Sequence, residues 1–182
     1  MKRILLLAAT FVSVLAAAAS AASNDFVTVK PEPSSYAWWL RADFHPFETQ
    51  VRGIPVKQIR ATWCKASEFR KALFPPELAA DVEQTGGLSF SVERSFDGSK
   101  IPQTALIGVY EGCNGQRGSF LLILARPPGA PATVRFLHEF PDIAFGILAV
   151  TTDATIHVFH CMECDNLTRF KWSRAKKRFI RL

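Results

Sequence analysis

The chain has 182 residues, of which 48% are hydrophobic and 15 are phenylalanine, and it carries a formal net charge of +6 at pH 7. This composition excludes an intrinsically disordered chain, because disordered chains are poor in apolar and aromatic residues. No repeat of fixed period occurs, and the part of the chain after residue 22 has the length of one ordinary domain with a hydrophobic core of its own.

The beginning of the chain has the order of parts found in a secretory signal peptide. Two basic residues are followed by an apolar run as far as Leu15, and small residues end the segment near Ala22. The alternative is an N-terminal membrane anchor, but the run is shorter than the ~20 strongly apolar residues that a spanning helix needs. We therefore predict a signal peptide over residues 1–22, a single globular domain over residues 23–182, and a periplasmic or secreted mature protein without a transmembrane segment.

A periodic apolar pattern predicts one long helix over residues 55–74. Its apolar residues recur at spacings of three, four, three and seven, which places them on one face of a helix. The members of this stripe are Val56, Ile59, Trp63, Ala66 and Leu73. Pro55 suits the first helical turn, and two prolines directly after the segment end it. A second, shorter helix is predicted from Pro76 to the glycine pair at Gly86.

After Gly87 the pattern changes to the alternation of apolar and polar residues that is typical of strands. Turn signals separate the apolar segments, the clearest being Asp97-Gly98 and the stretch from Cys113 to Arg117. We predict strands within residues 88–96, 103–112, 118–126, 133–140, 145–151, 155–161, 167–172 and 177–182. Strands that follow one another in the chain should pair antiparallel, because no helix long enough for a parallel crossover comes after residue 87.

The predicted fold class is α+β. The helix over residues 55–74 packs on one face of a mostly antiparallel meander of about eight strands. Eight strands are sufficient for a barrel-like closure, and two packed sheets are the alternative. The sequence alone does not separate these two arrangements.

The chain has four cysteines, Cys64, Cys113, Cys161 and Cys164. An even number of cysteines in an exported chain favours disulfides over free thiols. The pairing that we favour is Cys64–Cys113 with Cys161–Cys164. Cys64 projects away from the apolar stripe of the predicted helix, and Cys113 lies at a hairpin tip where another cysteine reaches it easily. A crossed pairing is the alternative.

The stretch from His157 to Cys164 is the main source of an alternative function. His157, His160, Cys161 and Cys164 are four potential zinc ligands, and Cys161-x-x-Cys164 has the spacing of a redox motif. In an extended strand His157 and Cys161 lie on one face and His160 on the other, so a zinc site needs the chain to turn at His160. Only eighteen residues follow Cys164, too few for the rest of a thioredoxin-like fold. We expect no cofactor, with zinc as the alternative.

Motifs for catalysis are weak throughout. No G-x-S-x-G nucleophile motif occurs, and the glycine-rich stretch GCNGQRG lacks the Lys-Ser/Thr ending of a phosphate-binding loop. We therefore assign no catalytic residue and favour a protein that is not an enzyme. A redox or zinc-dependent protein that uses the segment from His157 to Cys164 is the alternative.

Positive charge is concentrated at the C-terminus. The last fourteen residues hold no acid and seven cations: Arg169, Lys171, Arg174, Lys176, Lys177, Arg178 and Arg181. Such a segment attracts anionic partners, although a solvated strand face is the plainer interpretation. We predict an exported binding or accessory protein, either an inhibitor or immunity-type protein for a periplasmic or secreted enzyme, or a binder of an anionic envelope polymer. Export argues against nucleic acid as the partner.

Overall fold

The computed structural model describes residues 26–31, 37–162 and 167–182. The predicted signal peptide and Cys164 lie outside the described residues. The strands are β1 (Val27–Val29), β2 (Ala42–Phe44), β3 (Gln50–Val51), β4 (Ile54–Pro55), β5 (Trp63–Glu68), β6 (Ser91–Arg94), β7 (Gln103–Gly112), β8 (Arg117–Ala125), β9 (Thr133–Phe140), β10 (Ile147–Val150), β11 (Ile156–Phe159), β12 (Leu167–Ser173) and β13 (Arg178–Arg181). The α-helices are α1 (Val56–Ile59) and α2 (Pro76–Gln84), and 3-10 turns span Trp38–Leu40 and Lys71–Leu73.

The eight strands predicted after Gly87 are all present, as β6 to β13. Strands β7 and β9 begin and end at the predicted residues, and the shorter helix is present as α2. Within this set of eight, strands that follow one another pair antiparallel, except that β9 and β10 do not pair. The fold is therefore mostly antiparallel β-structure with few helices.

The predicted helix over residues 55–74 is wrong. Helix α1 has only four residues, and the middle of the segment is β5, which pairs antiparallel with β7. Helix propensities differ by less than ~1 kcal/mol per residue, so hydrogen bonds and burial against a distant strand outweigh them. Trp63 and Ala66 of the predicted stripe are fully buried on that strand. The apolar pattern thus identified buried residues correctly but assigned them to the wrong element.

The strands form two larger sheets that pack on each other. The first contains β5, β7, β8 and β9 in that order, with β6 beside β7, and the second contains β10, β11, β12 and β13 in order. Their facing sides share one apolar cluster, which includes Ile107 and Leu121 of the first sheet and Val158 and Phe170 of the second. The other side of the first sheet is covered by α1 and the β3–β4 hairpin, which form a second apolar cluster with it.

The two sheets join on one side only, so the fold is not a closed barrel. Ser89 and Leu148 exchange two backbone hydrogen bonds, of 2.9 and 2.8 Å, which connect the entry to β6 with β10. On the opposite side β9 and β13 are edge strands, and no backbone hydrogen bond between described residues joins them. The structure thus corresponds to the alternative of two packed sheets, with an open side between β9 and β13.

The disulfide predicted between Cys64 and Cys113 is present. It connects the start of β5 to the turn between β7 and β8, with a Cα–Cα distance of 4.9 Å and 49 residues of separation. The amide of Cys113 also donates to the carbonyl oxygen of Thr62 at 2.9 Å. Among the described residues, no helix has the length and apolar character that crossing a membrane requires.

Candidate functional site

All seven cations of the predicted binding segment lie on one element, the hairpin of β12 and β13. We call residues 167–182 the basic hairpin. Two of the cations lie on β12, two on β13, and three in the turn between these strands. Those on β12 are Arg169 and Lys171, those on β13 are Arg178 and Arg181, and those in the turn are Arg174, Lys176 and Lys177. The structure therefore brings together every residue that the sequence analysis assigned to an anionic partner.

The strand register distributes these charges over both faces of the hairpin. Phe170 lies opposite Arg181, and Trp172 lies opposite Phe179. Because directly opposite residues share a face, these four side chains lie on the side of the first sheet, where Phe170 and Phe179 are buried. The alternate positions on the outer face hold three cations: Arg169, Lys171 and Arg178.

Most of the cations on the basic hairpin have no ion pair with an acid of the described residues. Lys171 Nζ lies 2.8 Å from Asp153 Oδ2, and this hydrogen bond holds the pKa of the Asp153 carboxyl well below its usual range. For the other six cations, no carboxylate of the described residues lies within 4.0 Å. Their field is therefore directed at solvent.

A groove of about 500 Å³ opens where β13 approaches β9, and we call it the edge groove. Its floor consists of four rings: Phe136, His138, Phe170 and Phe179. Ring centroids within this floor are 5.2 Å apart for Phe136 and Phe179, and 4.8 Å apart for His138 and Phe170. Its rim holds three cations and no carboxylate: Lys176, Arg178 and Arg181. The groove thus combines an aromatic floor with a positive rim.

The cations of this rim were predicted from the sequence, but the aromatic floor was not. Phe136 and His138 lie on β9, more than thirty residues before Phe170 on β12. A sequence signal was available in the alternation of rings along TVRFLHEF, which places Phe136, His138 and Phe140 on one face of a strand. What it did not show is that β13 lies beside that face.

The histidines of the predicted metal site point to different surroundings. His157 lies on the outer face of the second sheet, opposite Arg169, whereas the ring of His160 lies 4.7 Å from that of Phe140 in the interior. Among the described residues, no group of three or more His, Cys, Asp or Glu is placed to hold a metal ion. Cys161 is buried, but Cys164 lies outside the described residues, so the Cys161–Cys164 disulfide and the zinc alternative stay predictions.

A second, more polar cleft lies beside the disulfide, with a volume of about 370 Å³. At its wall the indole N–H of Trp63 donates to Glu139 Oε1 at 2.9 Å, and Arg60 Nε lies 3.2 Å from Glu139 Oε2. Tyr110 stacks on Trp63 with ring centroids 4.6 Å apart, and burial, followed by the charge of Glu139, raises its pKa. Both oxygens of Glu139 are engaged, so this cluster mainly stabilises the wall. No local sequence signal indicates a contact across 76 residues.

Family models, curated proteins and solved structures gave no significant match to this chain. The function is therefore inferred from the geometry of the molecule.

We expect the protein to become less stable as the pH falls from 7.5 to 5.5. Burial is the largest cause that lowers the pKa of His138 and of His160 below the usual 6.5, and the charge of Arg181 adds to it. The unfolded chain therefore binds protons more readily than the folded chain below pH 6.5, and protonation favours unfolding. Urea denaturation at the two pH values should show a lower midpoint at pH 5.5.

The variant His138→Phe serves as the matched comparison for this pH effect. It keeps a ring of similar size between Phe140 and Phe170 but removes one titrating group. Its urea midpoint should fall less between pH 7.5 and 5.5 than that of the wild type. Equal midpoints of the wild-type protein at the two pH values would contradict the expected proton linkage.

Proposed function

We propose that the mature chain is exported and acts without catalysis, as a binding or accessory protein that holds an anionic partner on the basic hairpin. The observation that supports this function best is the group of six cations on one hairpin without a carboxylate neighbour among the described residues. Several other cations of the chain do pair with one of its own acids. Lys71 and Glu83, 2.8 Å apart at the surface, are an example elsewhere in this chain.

Two kinds of exported partner present the required negative charge. One is an acidic surface of a periplasmic or secreted enzyme, which makes the protein an inhibitor or immunity-type protein. The other is an anionic envelope polymer. Both should bind more weakly as salt rises, because exposed charges are screened beyond about 10 Å at 0.1 M ionic strength.

The test of this function replaces three exposed cations of the basic hairpin. The variant combines Arg169→Ser, Arg174→Ser and Lys177→Asn, the asparagine being chosen because Lys177 has a φ of 49°. Exposed charge contacts contribute up to ~1 kcal/mol each, so binding to poly-L-glutamate and to polyphosphate should weaken about tenfold at low salt. Dissociation constants measured at 50 and 200 mM salt check both the loss and the salt dependence.

A matched control removes the same charge from elsewhere on the surface. Lys57, Lys65 and Lys100 are exposed, have no carboxylate of a described residue within 4.0 Å, and lie outside the basic hairpin. Their triple replacement by serine should leave the affinity for both polyanions within about twofold of wild type. Equal losses in the two triple variants, or no binding of either polyanion by the wild-type protein, would contradict the proposed function.

A further inference from the structure

The open side of the fold has a strand edge, β13, whose outward backbone groups have no hydrogen bond to a described residue. The amide of Leu182 donates to the carbonyl oxygen of Arg169 at 3.0 Å, and the register places Phe170 opposite Arg181. In an antiparallel ladder this geometry makes Phe170 and Arg181 a pair whose own amides and carbonyls point away from the partner strand. This orientation recurs at every second residue of the strand, so the amide and carbonyl of Phe179 also point away from β12. Two amides and two carbonyls of β13 therefore face the open side.

The side chains around this edge select a ligand with three properties. The rim of the edge groove offers cations, its floor offers aromatic rings, and the edge of β13 offers hydrogen bonds to a peptide backbone. Inorganic phosphate or a purely anionic polymer uses the rim alone. An extended peptide with both acidic and apolar side chains uses all three.

We propose that the edge groove binds an extended acidic segment of a partner protein, which adds to β13 as a further strand. This inference rests on the proposed function and gives its anionic partner a chemical class. Addition of a strand to an exposed sheet edge is a known mode of peptide recognition, in which the backbone supplies affinity and alternate side chains supply specificity. The positive rim without a carboxylate supplies the complementary charge for the acids of the segment.

The register of β13 defines the pattern of the segment. An antiparallel strand places its successive residues opposite Arg181, Ile180, Phe179 and Arg178. An acid is favoured at the first and the fourth of these positions, and an apolar residue at the third, where it lies on the inner face with Phe179 and the aromatic floor. The fitting pattern is therefore an acid, any residue, an apolar residue and a second acid.

The test uses a blocked peptide with this pattern, TSDTVET, and two altered peptides. TSNTVQT removes both negative charges, and a third peptide carries an N-methyl group on the valine, which lies opposite Phe179 and needs its amide for the ladder. Fluorescence anisotropy of labelled peptides should show at least tenfold weaker binding for each altered peptide. Binding that is unaffected by N-methylation overturns strand addition.

Paired variants of the protein locate the binding site. The double variant Arg178→Ser and Arg181→Ser removes two of the three rim cations of the edge groove, and Lys57→Ser with Lys65→Ser removes two exposed cations outside the basic hairpin. The first double variant should bind TSDTVET about tenfold more weakly, and the second should bind it within about threefold of wild type. Both double variants lose two positive charges, so a difference between their affinities shows where on the protein the peptide binds.

The remaining outcomes separate this inference from the function on which it rests. Unchanged binding of TSDTVET by the Arg178–Arg181 double variant, or binding of polyphosphate without binding of TSDTVET, overturns the peptide site and leaves the anionic-partner function standing. Failure of the wild-type protein to bind any of these anions overturns both. Sedimentation of the free protein as a dimer that the peptide does not dissociate assigns the edge of β13 to a second copy of the chain and overturns the inference.

Discussion

Replacing Cys64 and Cys113 by serine should lower the free energy of unfolding by about 4 kcal/mol. The disulfide closes a loop of 49 residues, and in the chain-entropy model a crosslink over a loop of that length removes about this much free energy from the unfolded state. The loss should be measured by urea denaturation of the wild-type protein and the double variant under oxidising conditions. An unchanged urea midpoint would show that this crosslink does not constrain the unfolded chain.

The second predicted disulfide supplies the control for this experiment. Cys161 and Cys164 are three residues apart, so a bond between them closes a very short loop and contributes much less in the same model. Replacing both by serine should therefore lower the urea midpoint by less than the replacement of Cys64 and Cys113. A larger loss in this variant would contradict the loop-length explanation.

Gly108→Ala should cost about 3 kcal/mol of stability, although alanine is usually tolerated in a strand. A Cβ at Gly108 would lie 2.3 Å from the carbonyl oxygen of Ser67 and 2.8 Å from Cα of Glu68. Both atoms belong to the backbone of β5, which cannot move away without losing its pairing with β7. Overpacking of this kind costs ~1–3 kcal/mol, and a backbone neighbour places the cost at the upper end. Thermal or urea denaturation measures the loss.

Gly86→Ala is the matched control for the glycine prediction. A Cβ at Gly86 has no atom within 4 Å, and the position lies outside both sheets. The substitution should change stability by less than ~0.5 kcal/mol. Equal stability of the Gly108→Ala and Gly86→Ala variants would mean that β5 does not lie beside β7 at Gly108. A chain with the helix predicted over residues 55–74 would give that result.

The strands after Gly87 were predictable because their signals are local. Strand β9, for example, has Val134, Phe136, His138 and Phe140 at alternate positions of Thr133–Phe140, between a proline-rich turn and Pro141. Alternation together with turn residues determines where such a strand begins and ends, whatever it pairs with. The order in which the strands share two sheets is not local, and the sequence left barrel closure and two sheets as equal alternatives.

The segment over residues 55–74 shows the limit of a local pattern. Spacings of three and four between Val56, Ile59, Trp63 and Ala66 fit a helix, and these residues do pack together in one apolar cluster. Two of them lie on the short helix α1 and two on the strand β5. The strand forms because pairing with β7 provides hydrogen bonds and buries its side chains, which a helix at this position would lack. The disulfide prediction was confirmed although one of its grounds, the projection of Cys64 away from the stripe of the predicted helix, was wrong. The even number of cysteines and the position of Cys113 at a hairpin tip still favoured the pair.

The candidate site was predictable in its charge but not in its shape. The seven cations of the basic hairpin are visible in the last fourteen residues. The aromatic floor comes from β9 on the other sheet, and its position beside β13 depends on how the sheets pack. A charge pattern can therefore indicate an anionic partner, while the distinction between a polymer and a peptide strand depends on tertiary structure.

The order of the strands in the two sheets also has a consequence for assembly. Every strand of the first sheet lies before residue 141 and every strand of the second lies after residue 146, so the order of the layers follows the order of the chain. During synthesis from the N-terminus, the first sheet is complete before the second is made. The last thirty-six residues then form a meander of neighbouring hairpins on a surface that already exists, which keeps late folding fast and local.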